Sequence, residues 1–103
     1  MIGRLNHVAI AVPDLAAAIA LYRDTLGATL SAEQVLPEHG VRLVFADLPN
    51  TRIELMEPLD TTSPIAGFLQ KNSRGGIHHI CYEVGDIACL LYTSDAADER
   101  SSV

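Results

Sequence analysis

Three side chains of types that commonly bind metal ions lie on predicted strands among apolar neighbours: His7, Glu54 and His79. Two imidazoles and one carboxylate suit a divalent first-row metal ion that keeps open coordination positions. Near pH 7 an unperturbed histidine is largely neutral and a glutamate is ionised, and these are the protonation states that bind metal. We therefore predict a metal site at these three residues if the fold brings their strands together.

An internal repeat relates the two histidines. Residues 5–15 superpose without a gap on residues 77–87 when shifted by the 72 positions that separate His7 from His79. Both segments read as a strand, a turn and an aspartate that begins a helix, which indicates two copies of one structural unit. A lone histidine on a strand is usually a structural residue, so this equivalence is what favours the metal interpretation. The same offset puts the equivalent of Glu54 near position 126, beyond the 103 residues given.

The first unit begins with a strand that has two different faces. Alternation over residues 6–12 places His7 on a face with two alanines, which leave room beside the imidazole. Branched side chains lie on the other face, which we expect to pack on a helix. Apolar residues at helical spacing over residues 15–26 predict that helix, with Asp14 as its N-cap and Gly27 at its end.

Glu54 belongs to the last of three further strands, which we predict over residues 29–36, 41–46 and 52–57. In that strand Ile53 and Leu55 share the apolar face, so Glu54 lies on the opposite face. A solvent-facing residue is the simpler interpretation of a single strand glutamate, but this register favours a ligand. The unit is thus one strand, one helix and three strands.

Two other histidines are left out of the predicted site. His78 alternates away from His79, and in the repeat it aligns with Asn6 and not with His7. His39 lies in a Pro-Glu-His-Gly turn, and we expect it to be solvated.

The second unit follows a short connecting helix and is incomplete. Ser63 caps this helix and Pro64 occupies its first turn. After Asp86 the repeat predicts a helix and three strands, but the helical spacing of apolar residues is lost after Tyr92. We favour a non-native or disordered tail over residues 89–103, with a short frayed helix as the alternative. The domain is thus predicted over residues 1–88, with a first module at 3–59, a connecting helix at 63–72 and the start of a second module at 77–88.

The composition argues against several classes of partner. A net charge of -6 and a pI near 4.9 disfavour binding to nucleic acid or to an anionic membrane surface. There is no apolar run approaching the roughly 20 residues of a membrane-spanning helix. The first residues run straight into the predicted strand, so we expect no leader peptide and a cytoplasmic location. In that compartment Cys81 and Cys89 are expected to be reduced thiols.

Four segments resemble the methylmalonyl-CoA epimerases, a family of the vicinal oxygen chelate superfamily: residues 6–14, 51–59, 63–72 and 75–81. The resemblance implies an α+β fold of paired βαβββ modules, of which the second is incomplete here. It implies a metal centre of His7, Glu54, His79 and a late glutamate, and the last of these has no counterpart in the residues given. Co²⁺ is the ion that the resemblance favours, with Ni²⁺, Mn²⁺ or Zn²⁺ as alternatives.

The implied activity is that of an isomerase, which interconverts the (R) and (S) forms of methylmalonyl-CoA through a metal-stabilised enolate. The implied partners are an acyl-CoA thioester substrate and a second copy of the chain in a homodimer. Inversion needs a base and an acid on opposite faces of the reacting carbon. Residues 41–46, where some members carry an acid, hold only Arg42 among charged residues, so the catalytic residues are unknown. We therefore expect this chain alone to be inactive or nearly so, and its parent protein to be an epimerase.

Two other functions are open at this point. A glyoxalase-type lactoylglutathione lyase would use similar ligands and similar proton chemistry on a glutathione hemithioacetal. A non-enzymatic member of the superfamily would bind a small molecule without metal, and the presence of His7, Glu54 and His79 argues against it. Turnover assays distinguish the two enzymes, and metal content distinguishes the binding protein.

Overall fold

The described part of the chain forms one mixed β-sheet with a helix on each face. The computed structural model describes residues 2–84 and 88–93. The elements in chain order are β1 (Ile2–Ala11), α1 (Leu15–Ala20), β2 (Thr29–Leu30), β3 (Gln34–Leu36), β4 (Val41–Asp47), β5 (Arg52–Pro58), α2 (Pro64–Lys71), β6 (Gly76–Val84) and β7 (Ala88–Thr93). No helix among the described residues is long and apolar enough to cross a bilayer. The strands lie in the order β2-β4-β5-β1-β6-β7, and β3 pairs with β4, which confirms the predicted α+β fold.

Strand β1 lies between the two strands that carry the other candidate ligands. It pairs in parallel with β5 and antiparallel with β6. Strands β1 and β6 are the first strands of the two repeats, so the repeats join along this pair. The strands that hold His7, Glu54 and His79 are therefore direct neighbours in the sheet.

The face with branched side chains packs on α1. Leu15 of α1 is buried together with Val44 and Leu55, and Ile10 packs against them. Burying apolar area in this way is the main favourable contribution to folding. The prediction that this face packs on a helix is confirmed.

Helix α1 begins as predicted and ends differently. The Asp14 carboxylate accepts a hydrogen bond from the Ala17 N–H at 3.2 Å, which caps the first turn. After Ala20 the helix widens into a π-helix over Leu21–Thr25. It stops before Gly27, whose φ of 71° is the left-handed conformation typical of a helix end.

The opposite face packs on α2. Ala9 and Ala11 are buried together with Ile65 of α2. The Ser63 hydroxyl caps α2 by accepting a hydrogen bond from the Ile65 N–H at 3.4 Å. The small side chains that leave room beside His7 therefore also allow a helix to approach the sheet.

The strand predicted over residues 29–36 is in fact two short strands. Both β2 and β3 pair with β4, and residues 31–33 lie between them outside the ladder. The Ser31 hydroxyl accepts a hydrogen bond from the Phe45 N–H at 2.9 Å, and the Ser31 N–H donates to the Phe45 carbonyl at 2.8 Å. Because a side chain replaces a backbone acceptor here, the strand is interrupted.

The segment after Asp86 contains a strand where the repeat predicts a helix. Strand β7 pairs antiparallel with β6 over Ala88–Thr93, so the frayed helix is wrong for these residues. The open edge of β6 offers backbone donors and acceptors, which a strand satisfies and a helix does not. A disordered tail therefore does not begin at Cys89. The non-native origin of residues 89–103 stays a prediction, and residues 94–103 lie outside the described residues.

Cys81 on β6 is disulfide-bonded, so the prediction that its thiol is reduced is wrong. The pairing of β6 with β7 sets Cys81 opposite Leu91 and Glu83 opposite Cys89. The backbone positions of the two cysteines thus lie on neighbouring strands. That closeness depends on β7, which the sequence pattern did not predict.

Candidate metal centre

The two repeat-related histidines face each other across the pair of strands β1 and β6. In this pair His7 lies opposite Cys81 and Ala9 lies opposite His79, so both imidazoles project from the same face. Their Nε2 atoms are 3.3 Å apart. The rings meet edge to face with centroids 5.4 Å apart. The fold therefore brings the two histidines into contact.

Glu54 approaches the histidines from the other side of β1. Strand β5 places Glu54 beside Ala9, so the small Ala9 side chain lies between Glu54 and His79. The Glu54 Oε1 atom is 3.5 Å from His7 Nε2. One ligand atom from each of the three residues lies within 4.8 Å of the other two, and all three residues are partly buried. The fold thus gathers all three predicted site residues.

The donor set fits one divalent metal ion. Ligand atoms bound to one ion at about 2.1 Å lie roughly 3.0 to 3.4 Å apart for octahedral to tetrahedral angles. His7 Nε2 is 3.3 Å and 3.5 Å from its two neighbouring donor atoms, which is close to this range. Imidazole and carboxylate ligands together suit first-row ions such as Co²⁺, Ni²⁺, Mn²⁺ and Zn²⁺. Three protein ligands would leave positions open for oxygen atoms of a substrate.

Burial shifts the pKa values of all three side chains. Burial lowers the pKa of His79 to about 4, with neighbouring imidazoles as the lesser cause. Burial also lowers the pKa of His7, and the Arg52 charge adds to this effect. Burial raises the pKa of Glu54, while the charge of His39 opposes the rise. Both imidazoles are therefore neutral at pH 7, which is the form that binds metal.

A cavity of about 420 Å³ opens beside the three residues. Glu54 and His79 form part of its wall, and Leu36, Met56 and Ile65 provide apolar lining. Ligand pockets typically measure roughly 300–1,000 Å³ and combine an apolar wall with a few polar groups. The cavity therefore has the size and lining of a small-molecule site next to the candidate ligands.

Two histidines outside the predicted site also line this cavity: His78 and His39. The prediction that His78 lies on the opposite face from His79 is wrong. The register of β6 against β1 shifts by one residue at this point, so simple alternation does not hold there. His39 is exposed, as expected, but the short 3-10 turn Pro37–His39 sets it at the rim of the cavity.

Glu38, on the same turn, is a cavity carboxylate that the sequence pattern misses. The Gly40 N–H donates to the Pro37 carbonyl at 3.1 Å and closes the turn. The family resemblance suggested an acid on the strand that follows, but Arg42 is the only charged residue among residues 41–46. The available signal was the position of Glu38 just before that strand, in a turn rather than in a periodic element.

Residues 6–98 match the glyoxalase/bleomycin resistance protein/dioxygenase superfamily. The chain belongs to this superfamily. It is 70% identical over 87 residues to the ethylmalonyl-CoA/methylmalonyl-CoA epimerase of Cereibacter sphaeroides, a match that covers 84% of this chain and 65% of the relative. It also resembles the crystal structure of methylmalonyl-CoA epimerase from Mycobacterium tuberculosis, with a TM-score of 0.75 and 40% identity over 84% of this chain and 58% of that chain. A third match is a variant of the Streptomyces coelicolor methylmalonyl-CoA epimerase in complex with 2-nitronate-propionyl-CoA, with a TM-score of 0.73 and 33% identity over 97% of this chain and 69% of that chain.

These matches confirm the resemblance to the methylmalonyl-CoA epimerases and the glyoxalase-type fold. The chain spans 65% of the Cereibacter sphaeroides relative and 58% of the Mycobacterium tuberculosis chain. The structure describes one module of the superfamily fold, the connecting helix α2 and the strands β6 and β7. Both repeats nevertheless contribute to the cluster of candidate ligands.

We expect the free energy of unfolding of this chain, without bound metal, to rise between about pH 4 and pH 6.5. In this range His79 is protonated in the unfolded chain, where its pKa is the ordinary 6.5. In the folded chain it stays neutral, because its pKa is about 4. The unfolded state then binds more protons, so stability rises with pH. His7 shifts in the same direction, and Glu54 acts in the opposite direction.

Urea unfolding in the presence of a chelator across this pH range measures the slope. His79→Gln is expected to flatten the slope, and Glu54→Gln is expected to steepen it. A His79→Gln slope equal to that of the wild type would contradict the assigned cause.

Proposed function

We propose that this chain supplies three metal ligands and a proton-transfer carboxylate to a methylmalonyl-CoA epimerase, which interconverts the (R) and (S) forms of its substrate through an enolate. The observation that carries the proposal is the approach of His7, Glu54 and His79 to within 4.8 Å of one another beside a cavity. The 70% identity to an ethylmalonyl-CoA/methylmalonyl-CoA epimerase supports this choice of reaction. A fourth ligand is expected from a later segment of the second repeat.

His7, Glu54 and His79 are the proposed ligands of a divalent ion, with Co²⁺ as the first choice. When bound, such an ion supplies Lewis-acid stabilisation of the negative charge that develops on the thioester oxygen. His7 and His79 offer neutral imidazoles at pH 7 because burial lowers their pKa values. Glu54 brings the one negative charge of the set, which favours a cation at this point.

Glu38 is the proposed proton-transfer group on one face of the substrate. The carbon between the thioester and the carboxylate must lose a proton on one face and receive one on the other. Glu38 lines the cavity beside Glu54 without belonging to the three-residue cluster, so its carboxylate remains available to accept a proton. The acid on the opposite face is expected from outside the described residues.

Replacing Glu38 by glutamine is expected to lower kcat by roughly 100- to 10,000-fold, because glutamine keeps the shape of the side chain but cannot accept the proton. The active form for this test is a chimera that joins residues 1–84 to the corresponding C-terminal part of the Cereibacter sphaeroides relative. Conversion of one epimer of methylmalonyl-CoA into the other measures turnover. The Co²⁺ affinity of the variant should equal that of the unmodified chimera.

The matched control is Glu33→Gln, which changes an exposed carboxylate 3.4 Å from Arg42 and should leave kcat unchanged. Full turnover by Glu38→Gln would show that Glu38 does not transfer the proton. Turnover by a metal-free chimera would contradict the metal dependence. The 103-residue chain serves as a second comparison and is expected to show little or no turnover, because it holds only three of the four expected ligands.

The same chimera also distinguishes the competing functions. Conversion of the hemithioacetal of methylglyoxal and glutathione, without epimerisation, would assign the lyase activity instead. Tight binding of the CoA ester without metal and without turnover would assign a binding protein. The relatedness to chains that are named epimerases favours the first function over both alternatives.

An acyl-CoA thioester is the proposed substrate class. The Streptomyces coelicolor relative is solved with 2-nitronate-propionyl-CoA, which supports this choice. Assembly into a homodimer and a cytoplasmic location stay predictions.

A further inference from the structure

We propose that Asn6 and His78 are a matched pair of positioning residues, each of which orients the ligand histidine that follows it. The offset that superposes His7 on His79 also superposes Asn6 on His78. Because the two residues differ in type, the sequence alone does not reveal a shared role. This inference rests on the proposed metal-binding role of His7 and His79.

Asn6 orients His7 by a hydrogen bond to the Nδ1 atom of the imidazole. The Asn6 Oδ1 atom is 2.8 Å from His7 Nδ1, and an amide oxygen can only accept, so Nδ1 carries the proton. A neutral imidazole has one N–H, and His7 Nε2 is therefore left with a lone pair that faces His79 and Glu54. Asn6 is itself held, because its Nδ2 donates to Glu83 Oε2 on β6 at 3.2 Å.

His78 holds His79 through the equivalent atom. The Nδ1 atoms of the two rings are 3.0 Å apart, so one of them donates to the other. In the metal-free chain the contact of 3.3 Å with the unprotonated His7 Nε2 needs a proton on His79 Nε2, so His79 Nδ1 accepts from His78 Nδ1–H. When His79 Nε2 binds a metal ion instead, the neutral ring carries its proton on Nδ1 and donates it to His78 Nδ1. The hydrogen bond on one ring nitrogen decides which nitrogen is free to bind metal.

A bulge in β6 puts His78 in position for this contact. After the pair formed by Ala9 and His79, the register of β6 against β1 shifts by one residue, so that His78 is an extra residue in β6. Bulges redirect side chains, and His78 lines the same cavity as His79. Phe68 of α2 then packs edge to face on His78, with centroids 5.2 Å apart and an interplanar angle of 79°. Helix α2 thus positions His78, and His78 positions the ligand.

Titration of Co²⁺ into the 103-residue chain tests the pair. His78→Phe keeps a ring beside Phe68 but removes the acceptor, so we expect Co²⁺ affinity to fall about 10- to 100-fold and the visible absorption spectrum of bound Co²⁺ to change. His78→Asn introduces the side chain that the first repeat uses and is expected to restore both. Asn6→Leu is expected to act like His78→Phe. The control Asn50→Leu makes the same exchange as Asn6→Leu at an exposed residue between β4 and β5 and should leave both measurements unchanged.

Wild-type affinity and spectrum in His78→Phe or in Asn6→Leu would overturn the proposal for that residue. Equal losses in His78→Phe and His78→Asn would also overturn it for His78. Nitrogen NMR of the wild type with labelled histidine needs no variant. It should show His7 as the tautomer protonated at Nδ1 with and without metal, and His79 as this tautomer when Zn²⁺ is bound. His7 protonated at Nε2 in the metal-free chain would overturn the proposal for Asn6. If the wild type binds no Co²⁺, three ligands are insufficient in the 103-residue chain, and the same titrations of the chimera then decide the role of His78, while the tautomer of His7 still decides the role of Asn6.

Discussion

Replacing His7 by alanine is expected to weaken Co²⁺ binding by at least about 100-fold, because residues that only support a ligand already account for 10- to 100-fold. His7 Nε2 is 3.3 Å from His79 Nε2 and 3.5 Å from Glu54 Oε1, so His7 is the member of the cluster that links the other two. Its removal leaves two protein ligands. Isothermal titration of Co²⁺, and separately of Ni²⁺, into the wild type and the variant measures the loss.

The control for this experiment is His39→Ala, which removes a cavity histidine outside the proposed ligand set and should leave the affinity unchanged. Tight binding by His7→Ala would contradict the three-residue site and would leave His7 as a structural histidine. A folded wild-type chain that binds no ion would show that three ligands are insufficient and that the late carboxylate is required.

A large loss of stability is expected on substitution of Gly75, which lies between α2 and β6. Gly75 has a φ of 89°, and a Cβ atom at this position would collide with the Ala11 carbonyl oxygen and lie 3.3 Å from Pro13 Cδ. Gly75→Ala is therefore expected to lower the free energy of unfolding by about 3 kcal/mol or more, since unfavourable backbone conformations alone cost of order 1–3 kcal/mol. Urea unfolding of the metal-free chain provides the measurement.

Gly67→Ala is the matched glycine control. Gly67 lies within α2, and a Cβ atom there would meet no atom within 4 Å apart from its chain neighbours and the backbone of its own helix. Alanine is favoured over glycine in a helix interior by roughly 0.8–1.0 kcal/mol, so this variant is expected to be more stable than the wild type. A Gly75→Ala chain as stable as the wild type would show that the backbone of β1 yields to the added methyl group.

Alternation along β1 and β5 predicted which side chains share a face, because the two faces of these strands pack on different helices. Ile10 and Leu55 belong to the cluster on α1, whereas Ala9 and Met56 belong to the cluster on α2. Burial on one face strongly specifies the register of a strand, since a slip of one residue would exchange the faces. The placement of Glu54 on the same face as Ala9 followed from this pattern.

The features that could not be predicted depend on contacts between distant segments. The face of His78 is set by the shift of register against β1, and nothing in the β6 sequence marks it. Glu38 lies on a turn, so no periodicity indicates that it borders the cavity. Strand β7 forms along the edge of β6, and the repeat predicted a helix there because it carries no information about an open edge.

The candidate ligands come from both repeats, with His7 on β1 and Glu54 on β5 in the first and His79 on β6 in the second. An ion held by all three would be a reversible cross-link between the two halves of the sheet. Any species that binds only the assembled fold stabilises it by mass action, by about 2.7 kcal/mol when its free concentration is 100 times Kd. The concentration of free metal would then set the stability of the contact between the two halves of the sheet, as well as the occupancy of the site.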